Sequence, residues 1–435
     1  MKNTIFITLL FSLFVFSMNS QINILFIESD DQSNQAVGAY GNKAMVTPNI
    51  DKLSQEGVSF MSAYNMGCWS PAVCIPSRTM LIYGKYLWKS QKINKQNAPE
   101  SLPEKLSKNG YHTFTTGKWH AMGKSVYDIF DETGSIQPGQ LKTYNSTAGH
   151  ITDITGNEAI KFIKNYKKDK PFFAYIAFNA PHVPRQTAQK YYDLYPTKNM
   201  VLPPSVIDMT PLNKNVKYQY TKDPLRIKTM KNRVQQNNAM VTHMDSKIGD
   251  IINALKEKGL YNNTIIVFTS DHGISFGENG VAGKVCLYEP SATAPLIIKA
   301  PQIKPNSKIY ERVYLQDVVP TLFDFLSLKT KDSTDFKSLK PLIRKTGKER
   351  KSIYLAMFDD QRSIISENDK LIVYPKTGVL ELYDLKNDPW EINNLLSKKN
   401  SEQTIIKLLK ELKNWQIKTE DKTDLTVIYN KYLQK

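Results

Sequence analysis

Short continuous runs of apolar and β-branched residues alternate along this chain with segments whose apolar positions recur three and four residues apart. The runs lie at 23–29 (NILFIES), 112–117 (HTFTTG), 172–178 (FFAYIAF) and 264–270 (TIIVFTS). Helical spacing precedes three of them. SLPEKLSKNG precedes the second, and Ala159, Ile160, Ile163 and Tyr166 share a face before the third. Met240, Met244, Ile248, Ile251 and Leu255 share a face before the fourth and are closed off by Gly259. A strand that is apolar throughout is buried on both sides, which is the condition of a parallel sheet covered by helices. The pattern predicts an α/β fold: a large mixed, mostly parallel sheet sandwiched by helices.

The pattern changes after a polar, lysine-rich stretch at 329–351. Beyond it come short strands at 352–358, 370–375 and 380–385 and a helix around 402–417, which predict a smaller C-terminal α+β subdomain with an antiparallel sheet. The divisions expected are 1–20, 21–335 and 336–435. Lys2 followed by an apolar core from Thr4 to Phe16 and a small, polar stretch from Ser17 to Ser20 reads as a secretory signal, with an N-terminal membrane anchor as the other reading. No later run approaches the ~20 apolar residues of a membrane span. The expectation is an exported protein, periplasmic or secreted, with no stable membrane insertion.

Composition adds two constraints. The formal charge is +17 in 435 residues, so a polyanion is a natural partner, the other reading being a merely solvated basic surface. An exported chain without a nucleic-acid-reading motif favours a sulfated or carboxylated polysaccharide over nucleic acid. Three cysteines make no disulfide framework, so at least one thiol needs another explanation.

Ligands of a parallel α/β sheet bind beyond the carboxyl ends of its strands. Here those ends carry Asp30 and Asp31; Lys118 and His120; His182; and Asp271 and His272. Three of the chain's six histidines fall in these places. Asp30, Asp31 and Asp271 together would repel one another unless a divalent cation joined them, and oxygen ligands favour calcium or magnesium over zinc. His272 is a less usual partner for such an ion. Cys74 stands just before Pro76, which suits the first turn of a helix, a place that favours oxyanions. Arg78 adds a fixed fork of donors one turn on, and Lys118, His120, His182 and Lys284 add positive charge. That set suits a sulfate or phosphate ester. From spacing alone, an inert buried thiol or a disulfide with Cys68 ranks above a catalytic role for Cys74.

The run CIPSR at 74–78 resembles the C-x-P-S-R signature of the formylglycine-dependent type I sulfatases of the alkaline-phosphatase superfamily. ILFIESDDQ, TPNIDKL, TGKWH, NAPHVP, NNTIIVFTSDHG, YEPSATAPLIIKAP, DVVPTLFD and ELYDLKNDPWEINNL extend the resemblance over most of the chain. It implies that a formylglycine-generating enzyme oxidises Cys74 to formylglycine (3-oxoalanine). It implies one Ca2+ held by Asp30, Asp31, Asp271, His272 and the modified Cys74. Arg78 serves the finished site, Lys118 and His120 orient the aldehyde hydrate, and His182 and Lys284 meet the sulfate. The implied reaction is attack of a hydrate oxygen on sulfur, protonation of the leaving alcohol by His182 or Lys284, and elimination of sulfate with His120 as base. Two positions depart from the pattern: Tyr83-Gly84 where Thr-Gly is usual, and Asn279 where many relatives have histidine. The substrate implied is a sulfated polysaccharide or its oligosaccharides, ulvan or carrageenan before glycosaminoglycans. Arg185, Tyr191 and Tyr192 are candidate cleft residues, a structural loop being the equal alternative. A phosphodiesterase or phosphonate monoester hydrolase on the same scaffold, and a non-catalytic polyanion-binding protein, are the alternatives.

Overall fold

The computed structural model describes residues 22–206, 213–217, 226–328, 334–398 and 401–433. The segment read as an export signal, 1–20, lies outside the described residues. None of the described helices is long and apolar enough to cross a membrane.

The four apolar runs are neighbours in one eight-stranded sheet. Its order is Ser307–Ile309, Val58–Phe60, Leu296–Lys299, Thr264–Ser270, Asn23–Ser29, Phe172–Ala177, His112–Lys118 and Glu132–Gln137. Asn23–Ser29 pairs in parallel with Thr264–Ser270 on one side and Phe172–Ala177 on the other, and the latter pairs in parallel with His112–Lys118. Only Leu296–Lys299 runs against its two neighbours. The sheet is therefore mixed and mostly parallel, as its apolar strands predict.

Both faces are covered. Alternate residues Ile24, Phe26, Phe173, Tyr175, Ile265 and Val267 pack with Leu81, Leu106 and Leu322 from the helices Cys74–Tyr83, Leu102–Lys108 and Val318–Phe325. Leu25, Ile27, Ala174, Ile176, Ile266 and Phe268 pack on the other face with Leu53, Ile163, Ile248 and Leu255 from Pro48–Glu56, Ile151–Asn165 and Ile227–Glu257. This strict division by alternate positions is the pleat expressed as two cores. Helix ends follow the local chemistry. Ser101 and Glu104 form a capping box, and Gly259 takes a left-handed φ of 72° just past the long helix.

Beyond residue 350 the chain forms four antiparallel strands, Ser352–Met357, Gln361–Ser366, Asp369–Tyr374 and Val379–Asp384, with the helices Ser401–Thr419 and Thr426–Leu433. The two-residue strand Gly67–Cys68 adds itself in parallel to Ser352–Met357, so this second sheet takes an edge from the N-terminal part of the chain. The helix Cys74–Tyr83 lies between the two cores. Its Leu81, Ile82 and Tyr83 join the large sheet, while Met80 and the preceding Val73 join the C-terminal cluster around Leu355, Leu408 and Trp415. Nine of its ten residues are buried, which is why it shows no polar face.

Candidate active site

Because the four central strands are parallel and adjacent, their carboxyl ends meet along one edge. A strand that simply continued would send Asp30 and Asp31 to opposite faces. Asp31 instead has φ 63°, a left-handed conformation uncommon for a residue with a side chain, and both carboxylates stay at the edge. Asp30 N–H donates to the Ala180 carbonyl and Asp271 N–H to the Ser29 carbonyl, which ties three strand ends together. On the next strand, register shifts between Thr115 and Gly117. Gly117 has φ 93°, and a Cβ there would meet the Ala177 carbonyl oxygen at 2.0 Å. This bulge re-aims the strand end, and Lys118 Nζ lands on Asp30 Oδ2.

Ten residues named from the sequence assemble here. Cys74 Sγ lies 3.1 Å from His120 Nδ1. Ligand-type atoms of Asp30, Cys74, Asp271 and His272 all lie within 4.8 Å of one another, and those of Asp30, Asp31 and His182 do likewise. Lys284 Nζ donates to Asp31 Oδ1 at 2.7 Å. His182 turns Nδ1 to the Val183 carbonyl at 2.7 Å, which leaves Nε2 facing Asp31 Oδ2 at 3.9 Å. His272 donates from Nδ1 to the Gly273 carbonyl at 2.9 Å, so its Nε2 faces Asp31 and Asp271, 3.6 Å from an Oδ1 of each.

Arg78 is the frame of this cluster rather than its surface. Its Nη1 pairs with Glu28 Oε2 at 2.8 Å, its Nε donates to Asp271 Oδ2 at 3.1 Å, and its Nη2 donates to the Ser29 carbonyl at 3.4 Å. Tyr175 donates its hydroxyl to Glu28 behind it. Ser77 Oγ, one residue before, donates to the Asp271 carbonyl at 2.6 Å. Glu28 and Tyr175 escape sequence reasoning because each lies inside an apolar run and reads as a strand residue. Gly139 is a further silent participant: a Cβ there would stand 2.2 Å from the ring of His120.

The electrostatics are those of a crowded, dry site. Burial works against charge on Asp30, but Lys118, His182 and Arg78 outweigh it and hold the carboxyl well below its usual range. Burial likewise opposes the Cys74 thiolate, yet Lys118 and Lys284 draw that thiol well below the usual thiol range. Glu28 goes the other way, pushed up to about 7 by burial against the pull of Arg78. Asp271 is raised by burial and by Asp30. His272 is lowered by burial but drawn up by Asp271, to about 9.

The buried atoms at this edge without a hydrogen-bond partner include Asp30 Oδ1, Asp31 Oδ2 and His272 Nε2. Orphaned carboxylate and imidazole atoms in a dry interior are costly unless something satisfies them. A divalent cation fits: hard carboxylate oxygens dominate the set, and with Nδ1 engaged by Gly273, His272 would ligate through Nε2 by giving up the proton that Asp271 draws onto the ring.

Residues 22–328 match the sulfatase family, and 277–418 match the C-terminal part of N-sulphoglucosamine sulphohydrolase. The chain belongs to the sulfatase family. It is a sulfuric ester hydrolase of the alkaline-phosphatase superfamily. Among its relatives, an arylsulfatase of Clostridium perfringens is 28% identical over 88% of this chain and 92% of its own. An ulvan-active sulfatase of Formosa agariphila is 27% identical over 86% and 77%. The solved structure of BT4656 in complex with its substrate D-glucosamine-2-N,6-O-disulfate has TM-score 0.80 and 25% identity. It covers 93% of this chain and 100% of that one.

The remaining residues named from the sequence lie as follows. Cys68, Cys74 and Cys286 are all free and buried, with Cys68 Sγ against Met357 Sδ at 3.1 Å and Cys286 Sγ against Ser291 Oγ at 3.2 Å. Tyr83, the departure from the usual Thr, accepts the Lys124 N–H on its hydroxyl at 2.9 Å. Tyr191 stacks on His243 with ring centroids 4.6 Å apart, and Tyr192 donates to the Arg185 carbonyl at 3.0 Å, so both hold the loop after His182 in shape. Arg185 lies over the Phe276 ring at 5.1 Å.

Proposed function

We propose that this sulfatase desulfates a sulfated polysaccharide or its oligosaccharides after a maturation enzyme converts Cys74 to formylglycine. One Ca2+ is then held by Asp30, Asp31, Asp271, His272 and the modified residue 74. The observation that carries this reading is the trio of orphaned atoms, Asp30 Oδ1, Asp31 Oδ2 and His272 Nε2, on residues of two clusters that share Asp30, one containing Cys74 and the other His182. A thiol is a soft ligand among hard ones; conversion to an oxygen-bearing residue makes the set uniform. The ion supplies polarisation of the sulfate, and the hydrated aldehyde supplies a nucleophilic hydroxyl and a second hydroxyl through which sulfate is expelled.

The chain's own residues do the rest. Arg78 fixes Asp30 and Asp271 and, being buried, needs no substrate to hold it. Lys118 and Lys284 put positive charge where sulfate oxygens arrive, in a site whose dryness strengthens each contact. His120 Nδ1, within reach of the side chain at 74, takes the proton whose loss releases sulfate. His182 carries the proton for the leaving alcohol on Nε2, because Nδ1 is engaged with Val183 while the ammonium of Lys284 is engaged with Asp31.

The charge of +17 and the ulvan-active relative support ulvan as the first substrate to test. The resemblance to BT4656 supports glucosamine sulfates next, and carrageenan completes the set. Residues 1–20 act in this reading as an export signal. The test is sulfate release from these glycans by protein co-expressed with a formylglycine-generating enzyme, together with mass spectrometry of the peptide containing residue 74. Sulfate release with the aldehyde present is expected. Active protein carrying an unmodified Cys74, or faster turnover of phosphate diesters than of any sulfate, overturns the reading.

A further inference from the structure

The motif at 381–395 lies far along the chain from every residue of the site, and the reaction gives it no task. In the fold it grips the segment that carries Lys284. Asn279 has φ 54° and donates from Nδ2 to the carbonyls of Glu391 at 2.7 Å and Trp390 at 3.3 Å. Gln361 Nε2 donates to the carbonyl of Val285, the residue after Lys284, at 3.3 Å. The Tyr288 hydroxyl donates to Glu381 Oε2 at 2.7 Å. Glu289 N–H donates to Glu391 Oε2 at 2.7 Å. Lys370 Nζ lies between Glu289 Oε1 at 2.9 Å and Glu391 Oε1 at 2.7 Å, its side chain wholly buried. The holding groups at all five contacts come from the C-terminal sheet or the turn that follows it.

A lysine is a charge on a flexible four-carbon stem, so the place of its ammonium is set largely by where its backbone is held. A buried carboxylate–ammonium–carboxylate group adds little net stability over an apolar replacement, so stability alone is a weak account of Lys370 between two glutamates. Its geometric effect is direct: it closes the far end of a segment whose near end is pinned at Asn279. Between the two ends Lys284 Nζ stands 2.7 Å from Asp31 Oδ1.

We propose that Gln361, Lys370, Glu381 and Glu391 are positioning residues for Lys284, the C-terminal sheet acting as the jig that sets its ammonium against the sulfate. This rests on the reading above in which Lys284 meets the sulfate. The experiment is a set of activity cycles on an aryl sulfate. Asn279→Ala, at a half-buried position, and Lys370→Met are each made alone and together with Lys284→Ala. Rates are normalised to aldehyde content at residue 74, and melting temperatures are followed. Lys284→Ala should lose on the order of 10²–10³-fold in kcat, the usual effect of removing one charge-stabilising donor. Asn279→Ala and Lys370→Met should each lose about tenfold, a small misplacement of a working group, and add nothing when Lys284 is already alanine. Losses that multiply in the double variants overturn the proposal, because the damage then reaches the reaction by another route. A fully active Lys284→Ala single variant removes the reading of Lys284 itself and is told apart by appearing without either partner substitution.

Discussion

His150, Asp153 and His243 bring their ligand-type atoms as close together as Asp30, Cys74, Asp271 and His272 do, within 4.8 Å in both groups. Yet the two groups differ in what those atoms touch. His243 donates from Nε2 to Asp153 Oδ1 at 3.0 Å and accepts from Thr187 Oγ1 on Nδ1 at 2.9 Å. His150 donates from Nε2 to the Gln186 carbonyl at 3.0 Å and accepts the Thr152 N–H on Nδ1 at 3.2 Å. Both imidazoles have a partner on each ring nitrogen, and they fasten the loop that follows His182. At the strand ends, by contrast, Asp30 Oδ1, Asp31 Oδ2 and His272 Nε2 stay unsatisfied in the interior. Proximity of donors does not distinguish a structural cluster from a site. The unsatisfied atoms do.

The sharpest way to break this comparison is at the nucleophile. Cys74→Ala should abolish turnover, by about 10⁶-fold if this group acts as indispensably as other covalent nucleophiles, while the melting temperature holds. Cys68→Ala, in the same peptide but packed on Met357, should keep its rate. Initial rates on one aryl sulfate decide both.

Metal content comes next. Calcium bound at the strand ends should appear as one ion per chain by elemental analysis and be removed by chelation with loss of activity. Asp271→Asn should bind none. Calcium at 100-fold over its dissociation constant should raise stability by about 2.7 kcal/mol, read as a rise in melting temperature that Asp271→Asn lacks. Asp153→Asn should leave the calcium stoichiometry unchanged. One ion lost from Asp153→Asn and none from Asp271→Asn would reverse the assignment of the two clusters.

His182 tests the protonation step. His182→Ala should lose on the order of 10²–10⁴-fold on an alkyl or sugar sulfate. The loss should be much smaller on a nitrophenyl sulfate, whose leaving group needs no proton. Equal losses on both substrates would make His182 a binding residue and return the proton to Lys284.

What the chain disclosed in advance follows from range. The four apolar runs and the acids and histidines after them are local patterns, and a parallel sheet brings their ends together without further instruction. Glu28 and Tyr175 were hidden because a charged and an aromatic residue inside an apolar strand read as part of the strand; only the arrival of Arg78 from the helix Cys74–Tyr83 shows what they face. Gly67–Cys68 is too short to carry a period, and its pairing with Ser352–Met357 reaches across about two thirds of the chain. The same holds for Lys370 and Glu391, whose meaning lies in a segment about a hundred residues earlier. The direction of Leu296–Lys299, the one strand of the large sheet that opposes its neighbours, has no signature in the four residues LIIK.

The smallest expected effect lies in the satisfied cluster and is one of pH. Burial lowers the pKa of His243 below its ordinary 6.5, with the pull of Asp153 only partly offsetting it. The folded protein therefore binds fewer protons at this ring than the unfolded chain as pH falls below about 6.5, so the contribution of His243 is complete above that value and declines beneath it. Asp153, held low against its own burial by His243 and Lys247, contributes in its charged form and declines only in the acid carboxylate range. His243→Gln keeps an amide to engage Thr187 or Asp153 but has nothing to titrate. Its stability should be lower by about 1 kcal/mol at pH 8, the usual effect of one weakened buried hydrogen bond, and the gap should narrow toward pH 5. Urea unfolding at the two pH values measures it. A gap that widens on acidification would mean that the ring is protonated in the fold, and the contrast with His272, drawn up to about 9 beside its unsatisfied carboxylates, would be lost.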